Sequence, residues 1–208
     1  MKKIVLSIMA AALLASGSFA QTVKLPAPQK TGGKSINETL TVRESRNEFS
    51  NKMLSKQDLS NLLYAAIGVN RENGKLTSPT ASNKQEIRVF VFTSEGVSEY
   101  LNNENGLRPV AKGDHRGIVA GRQDWVKAAP VVLVLVADGD KFGRVDERSK
   151  TMMAVDAGIV SENINLFCAG NGLATRPRAS MDAEAISTLL GLTENQYPIM
   201  NNPVGYQK

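Results

Sequence analysis

The chain has one cysteine, Cys168, and one histidine, His115, among its 208 residues, and aromatic side chains make up only 5% of it. A lone cysteine forms no internal disulfide, so the fold must rest on a packed core. A single histidine, with no Gly-x-Ser-x-Gly elbow, gives a Ser/His/Asp triad almost nothing to build on. Zinc needs a cluster of His, Cys or carboxylate ligands, and none is spaced for it, so no metal is expected. Neither Gly-x-Gly-x-x-Gly nor Gly-x-x-x-x-Gly-Lys-Ser/Thr occurs, which argues against a dinucleotide-binding βαβ unit and a P-loop. No Lys/Arg run carries interleaved aromatics, so a nucleic-acid footprint is not indicated.

What is present is ordinary globular material, 42% hydrophobic, with a formal charge of +5. Residues 1–20 place Lys2 and Lys3 before the apolar run Ile4–Leu14 and close on Ser18, Phe19 and Ala20. That order reads as a secretory signal cleaved after Ala20. The run is shorter than the roughly 20 apolar residues a spanning helix needs, so no stable membrane anchor is expected. The expectation is an exported protein, periplasmic by preference, with a flexible Pro/Gly-rich leader over 21–34 and one domain over 35–208.

Along that domain, Ser55 with Asp58 and the face Leu59, Leu62, Leu63 and Ala66 predict a capped amphipathic helix ending at Gly68. Ile87–Phe92 and Val131–Val136 read as strands, the second buried on both faces. Glu95–Leu101 and Ile118–Ala128 are expected to be helices. A helix apolar all round is predicted from Thr151 to Cys168, and Cys168 itself is read as a core residue. Gly158 inside it costs about 1 kcal/mol relative to Ala, which implies close packing there. A last helix is expected from Ser180 to Gly191, then an extended segment through Tyr197–Tyr206. Helices and strands interleave without a regular βαβ rhythm, favouring an α+β fold.

Three polar signals surround this core. Arg43, Ser45 and Arg46, with Asn47, precede the first capped helix, and an arginine fork suits a phosphate. Pro79, Thr80, Ala81, Asn83 and Gln85 form a turn-rich loop that feeds a strand and offers groups for the edge of a polar heterocycle. The long helix with its Asp156-Ala157-Gly158 step runs on through Asn163, Leu166 and Ala169 to Gly172–Thr175, and Arg176 and Arg178 then lie before the Ser180 helix, an anion-favouring corner. Taken singly, each also reads as a solvated turn or loop.

In this order the signals resemble the FMN-dependent nitroreductase family, in particular its short branch related to SagB-type dehydrogenases. The resemblance rests on Arg43, Ser45 and Phe49; on Pro79, Thr80, Asn83 and Gln85; on Ala129–Val131; and on Asp156, Gly158, Asn163–Leu166, Gly172, Leu173 and Thr175. The ending Val204-Gly205-Tyr206 matches as well. It implies a central, mostly antiparallel sheet flanked by helices and a homodimer with FMN at the subunit interface. It further implies Arg43 and Ser45 at the FMN phosphate and ribityl chain, the Pro79–Asn83 loop reaching the flavin from the partner subunit, and Arg178 and Ala179 beside its reactive face. No catalytic acid or base is implied, because the flavin carries the redox chemistry. Three positions depart from the pattern. Asn47 replaces a basic residue unless Arg46 takes its role, Glu86 replaces a proline, and Arg178 or Lys208 would have to supply a phosphate-binding cation that the pattern has further on. The expected function is an exported FMN oxidoreductase acting on a small organic substrate, with NAD(P)H left open as donor. The alternative is a flavin- or ligand-binding module without turnover.

Overall fold

The computed structural model describes residues 21–208; the segment read as an export signal lies outside the described residues. Among the described residues no helix is long and apolar enough to cross a membrane. Seven strands form one sheet, β1 (Val23–Lys24), β2 (Ile87–Phe92), β3 (Gly96–Leu101), β4 (Gly106–Lys112), β5 (Val131–Asp138), β6 (Leu173–Thr175) and β7 (Gln196–Tyr206). Their order is β1-β4-β3-β2-β5-β7-β6, and every pair is antiparallel. Helices α1 (Ile36–Val42), α2 (Lys56–Ile67), α3 (Arg116–Ala120), α4 (Glu147–Gly170) and α5 (Ala183–Leu190) flank it.

The alternation along β2 and β5 divides the core in two. Val89, Val91, Leu133 and Leu135 point to one face and meet α2 and α4, while Phe90, Phe92, Val132 and Val134 point to the other and meet α3 and α5. Both faces are covered, so β5 has almost no exposed surface from Val131 to Ala137. Cys168 is buried in the α4 layer, where burial pushes its thiol well above the ordinary range.

Helix α2 starts at the predicted cap: Ser55 Oγ accepts the Asp58 amide at 3.0 Å. Tyr206 of β7 adds a long-range tie, donating its hydroxyl to the Asp58 carboxylate and accepting the Ser55 amide. Helix α4 starts at Glu147, four residues before Thr151, because Asp146 and Ser149 cap each other. At its far end Gly170 lets α1 approach, with Thr39 Oγ1 at 2.9 Å from where a Cβ would stand.

Three expected elements are corrected. Glu95–Leu101 is not a helix: Gly96–Leu101 is strand β3, in which Glu99 is buried and clamped by Arg88 of β2 and Arg108 of β4. Ile118–Ala128 is not one helix either, because Gly121, at φ 57°, ends α3, and a 3-10 turn over Asp124–Ala128 follows. The last helix begins at Ala183, with Asp182 as its cap. Around Gly158 no other element among the described residues comes within 4 Å of a built Cβ, so whatever packs close there is not supplied by the rest of this chain.

The 21–34 segment, expected to be flexible, is tied to the body. Val23 and Lys24 pair with β4, Ser60 Oγ donates to the Pro26 carbonyl at 2.6 Å, and the Gln29 amide donates to Asn61 at 2.8 Å. The Lys34 amide then caps α4 by donating to the Gly170 carbonyl.

Burial alone would raise Glu99, but Arg88 and Arg108 outweigh it and hold its carboxyl below the ordinary glutamate range. Its ionised form therefore stabilises the fold above that range, and the contribution is lost as pH falls through the lowered value. Glu99→Gln is expected to cost about 2 kcal/mol, or roughly 4–8 °C in melting temperature. The gap to the parent protein should close on acidification. An unchanged melting temperature at neutral pH would show that the clamp contributes nothing.

Candidate functional site

The first polar signal is assembled by the end of the chain. β7 bonds β6, Phe49 bridges to Gln207, and the Arg46 amide donates to the Thr175 carbonyl at 2.9 Å. These contacts gather Ser45, Arg46, Asn47 and Lys208 around a depression of about 180 Å³, together with Glu44 and Glu48. Arg43 does not line it; it is the C-cap of α1, its amide bonded to the Thr39 carbonyl. Arg46 therefore stands beside Ser45 and Asn47, and Lys208 brings a second cation. Arg46 is ion-paired to Glu44 across a largely exposed contact. An incoming anion must compete with that carboxylate for the guanidinium. Two cations, a hydroxyl and an amide offer donors to a phosphate monoester, set against the carboxylates of Glu44 and Glu48 in the same lining.

The second signal forms a self-bonded loop. Ser82 and Asn83 have φ near 50°, and so does Gln85, all in the left-handed region that non-glycine residues avoid. Such conformations cost about 1–3 kcal/mol each and persist only when surrounding contacts hold them. Here the Gln85 amide donates to Thr80 Oγ1 at 2.8 Å, and Gln85 Nε2 donates to the Gly74 carbonyl and to Asn83 Oδ1. The Ala81 amide donates to Asp156 of α4 at 2.8 Å. Pro79 and Asn83 are left exposed at the rim. Ala81, Ser82 and Lys84 line a depression of about 360 Å³ with Phe142, Arg144 and Arg148.

The two signals do not meet within one chain. The first lies by Thr175 and Val204, and Val204 pairs with Val131; the second leads into Ile87, which pairs with Ala137. These are opposite ends of β5, about 20 Å apart at strand rise. Two larger grooves, of about 420 Å³ beside α1 and α4 and about 490 Å³ between α3 and α5, hold none of the arginines or loop residues of these signals, though Asn163 and Leu166 of the α4 motif line the first and His115 lines the second.

The third signal turns inward. Arg178 is buried, and its guanidinium donates to Gln123 Oε1, to Asn201 Oδ1 and to the carbonyls of Val119 and Ala120 at the end of α3. Its backbone is bonded in both directions to Asn201. Burial, and then nearby Arg176, pull it below the ordinary arginine value, and no carboxylate pairs with it among the described residues. Arg178 thus caps α3 and lies against Trp125, whose ring also stacks on Phe49. Its guanidinium is engaged inside the fold, and of the two cations named for a phosphate only Lys208 lines the Ser45–Asn47 depression. Ala179 is exposed next to Arg178.

A sequence profile of the Nitroreductase family matches residues 40–206. The chain belongs to the nitroreductase family. Among its relatives, a protein of Methanocaldococcus jannaschii described as a nitroreductase is 27% identical over 180 residues, covering 82% of this chain and 90% of the relative. A crystal structure from Ralstonia eutropha, also described as a nitroreductase, is 31% identical, with a TM-score of 0.84 and 92% of both chains covered. The fold is shared with the NADPH:FMN oxidoreductase of Vibrio harveyi, solved in complex with NAD+, at 20% identity and a TM-score of 0.64, over 83% of this chain and 69% of that one. Family membership makes the chain an oxidoreductase and accounts for the antiparallel sheet flanked by helices.

Sequence reasoning missed Asp156 as the anchor of the 79–85 loop, although it had been singled out as a motif residue. Nothing in a linear pattern indicates that a side chain 75 residues away accepts the Ala81 amide. It also missed the inward role of Arg178. Arg178→Ala should leave the α3 carbonyls and Asn201 facing a hole and cost about 3 kcal/mol in urea unfolding. A loss below about 1 kcal/mol would return Arg178 to the list of ligand-binding candidates.

Proposed function

We propose that this nitroreductase-family oxidoreductase is FMN-dependent and works as a homodimer, reducing or oxidising a small organic molecule. The observation that carries the cofactor is the Ser45, Arg46, Asn47 and Lys208 donor set, which fits the phosphate end of FMN. Bound flavin supplies the electron transfer. The chain's own residues bind and orient: Arg46 and Lys208 hold the phosphate, Ser45 and Asn47 add neutral donors, and the Pro79–Asn83 loop presents a rigid polar edge.

The homodimer is supported by the separation of about 20 Å between those two regions, since one flavin could meet both only with a second copy supplying the loop. It is also supported by the outer side of α4. Val155 there is 52% exposed, Ala154 beside it is exposed, and Gly158 has open space, so this side offers a small-residue surface on which a second copy can pack closely. Small acceptors such as nitroaromatics or quinones suit this reading, and it accommodates the relation to SagB-type dehydrogenases. Nicotinamide remains one candidate donor among others.

The cofactor test compares FMN with riboflavin, which lacks the phosphate. The purified protein should retain about one FMN per chain after desalting and bind riboflavin at least about tenfold more weakly, the worth of one charge-assisted contact. Glu44→Gln, which frees Arg46, should tighten FMN without affecting riboflavin. Equal affinity for the two flavins would remove the phosphate assignment, and bound flavin without turnover on any donor would favour a binding module.

The dimer is tested by light scattering. Val155→Glu should convert a dimer into a monomer that keeps the parent's far-ultraviolet circular dichroism. A parent protein already monomeric at micromolar concentration would exclude the arrangement.

A further inference from the structure

Glu86, the residue that departs from proline at the end of the second motif, has no exposed surface at all. Among the described residues neither of its carboxyl oxygens receives a hydrogen bond of good geometry; only its own amide lies near enough to favour the ionised form, and burial outweighs it. What faces it is a second buried carboxyl, Asp156, whose Oδ2 accepts the Ala81 amide. Two ionised carboxylates side by side without a donor between them repel in a dry site, and one proton between them removes the conflict.

The charged surroundings do not supply a substitute. Lys141, in the turn after β5, favours the ionised form of Glu86 but is outweighed by burial and by Asp156. Asp138, whose amide donates to the Glu86 carbonyl at 2.9 Å, adds another carboxylate, with Oδ1 buried and unbonded. Lys84, on the loop itself, lies over the Phe142 ring, 5.8 Å from its centre.

We propose that Glu86 is a positioning residue whose carboxylic acid donates to Asp156, and that this pair pins the Pro79–Asn83 loop through Ala81 in the shape that meets the cofactor. The cofactor part rests on the FMN reading above; the pinning of the loop does not. The loop needs an external hold because Ser82 and Asn83, and Gln85 just after them, sit in the left-handed region, and Asp156 supplies that hold from α4. Ionising Glu86 would set two like charges at the root of the loop and draw one of them off toward Lys141. The Ala81 acceptor would then be disturbed.

Burial first, and then Asp156, push Glu86 up from the ordinary glutamate value to about 7. A raised carboxyl favours the protonated folded state, so the hold is complete at acid pH and is lost as pH rises through about 7.

The test is hydrogen exchange by mass spectrometry on the full chain without FMN, corrected for intrinsic rates, from about pH 5.5 to about pH 8.5. Protection of the 79–85 region should fall about tenfold across that range in the parent protein. Glu86→Gln, which keeps a donor at every pH, should hold it flat. Asp156→Asn, which presents an amide to Glu86, should move the transition to lower pH. FMN affinity, read by fluorescence, should weaken with pH in the parent and stay level in Glu86→Gln. Identical exchange profiles in the parent and Glu86→Gln would overturn the pinning role. Exchange that behaves as expected while FMN binds to no variant would overturn only the cofactor part.

Discussion

Everything in this molecule is arranged around a strand that water does not reach. β5 is sheathed on both faces by helices and bonded on both edges by β2 and β7, so its middle can hold only apolar side chains. The two exposed polar clusters are thereby left to its ends. The Ser45–Asn47 depression stands at one end and the 79–85 loop at the other. The distance between them is a property of the strand, not of either loop, and substitutions within the loops will not change it.

The charges buried around this core illustrate three different solutions to one problem. Glu99 is neutralised by two arginines from neighbouring strands. Arg178 has no carboxylate partner and is satisfied by carbonyls at the negative end of a short helix and by two side-chain amides. Glu86 has neither arrangement, and it is the one that lies directly beneath a conformationally strained loop. Fully satisfied groups rigidify a structure; a group whose comfort depends on a proton gives it a point of adjustment.

Much of the fold could be read from residues alone, and the exceptions have physical causes. β2, β5, α2, α4 and the final strand carry strong signals, either period-two apolar runs or capped helical faces. β3 was misread because its buried Glu99 looks like a surface residue until the two arginines beside it are placed by the sheet. α1 was passed over because Thr39 is its only buried side chain, even though Ser35 and Glu38 form a capping box. β4 shows Arg108, Pro109 and Val110 to solvent and lacks an apolar rhythm. At the candidate site, the grouping of Ser45 and Arg46 with Lys208 was legible because a linear pattern raised it. The orientation of Arg178 and the Glu86–Asp156 pair were not, since each depends on groups brought in from distant parts of the chain.

The stretch before Ser35 shows how a segment of loop-like composition can still belong to the fold. Its contacts run mostly from side chains of α2 to its backbone carbonyls and amides, a mode of attachment that leaves no apolar periodicity behind. A chain begun at Ser35 would strip Ser60 of its partner, bare the Gly106–Leu107 end of the sheet and leave the α4 terminus without the Lys34 amide. An open strand edge of that kind is a template for another chain. Residues 21–34 therefore act as a fastening that closes the Gly106–Leu107 end of β4, and the folding unit takes in chain well ahead of its first helix.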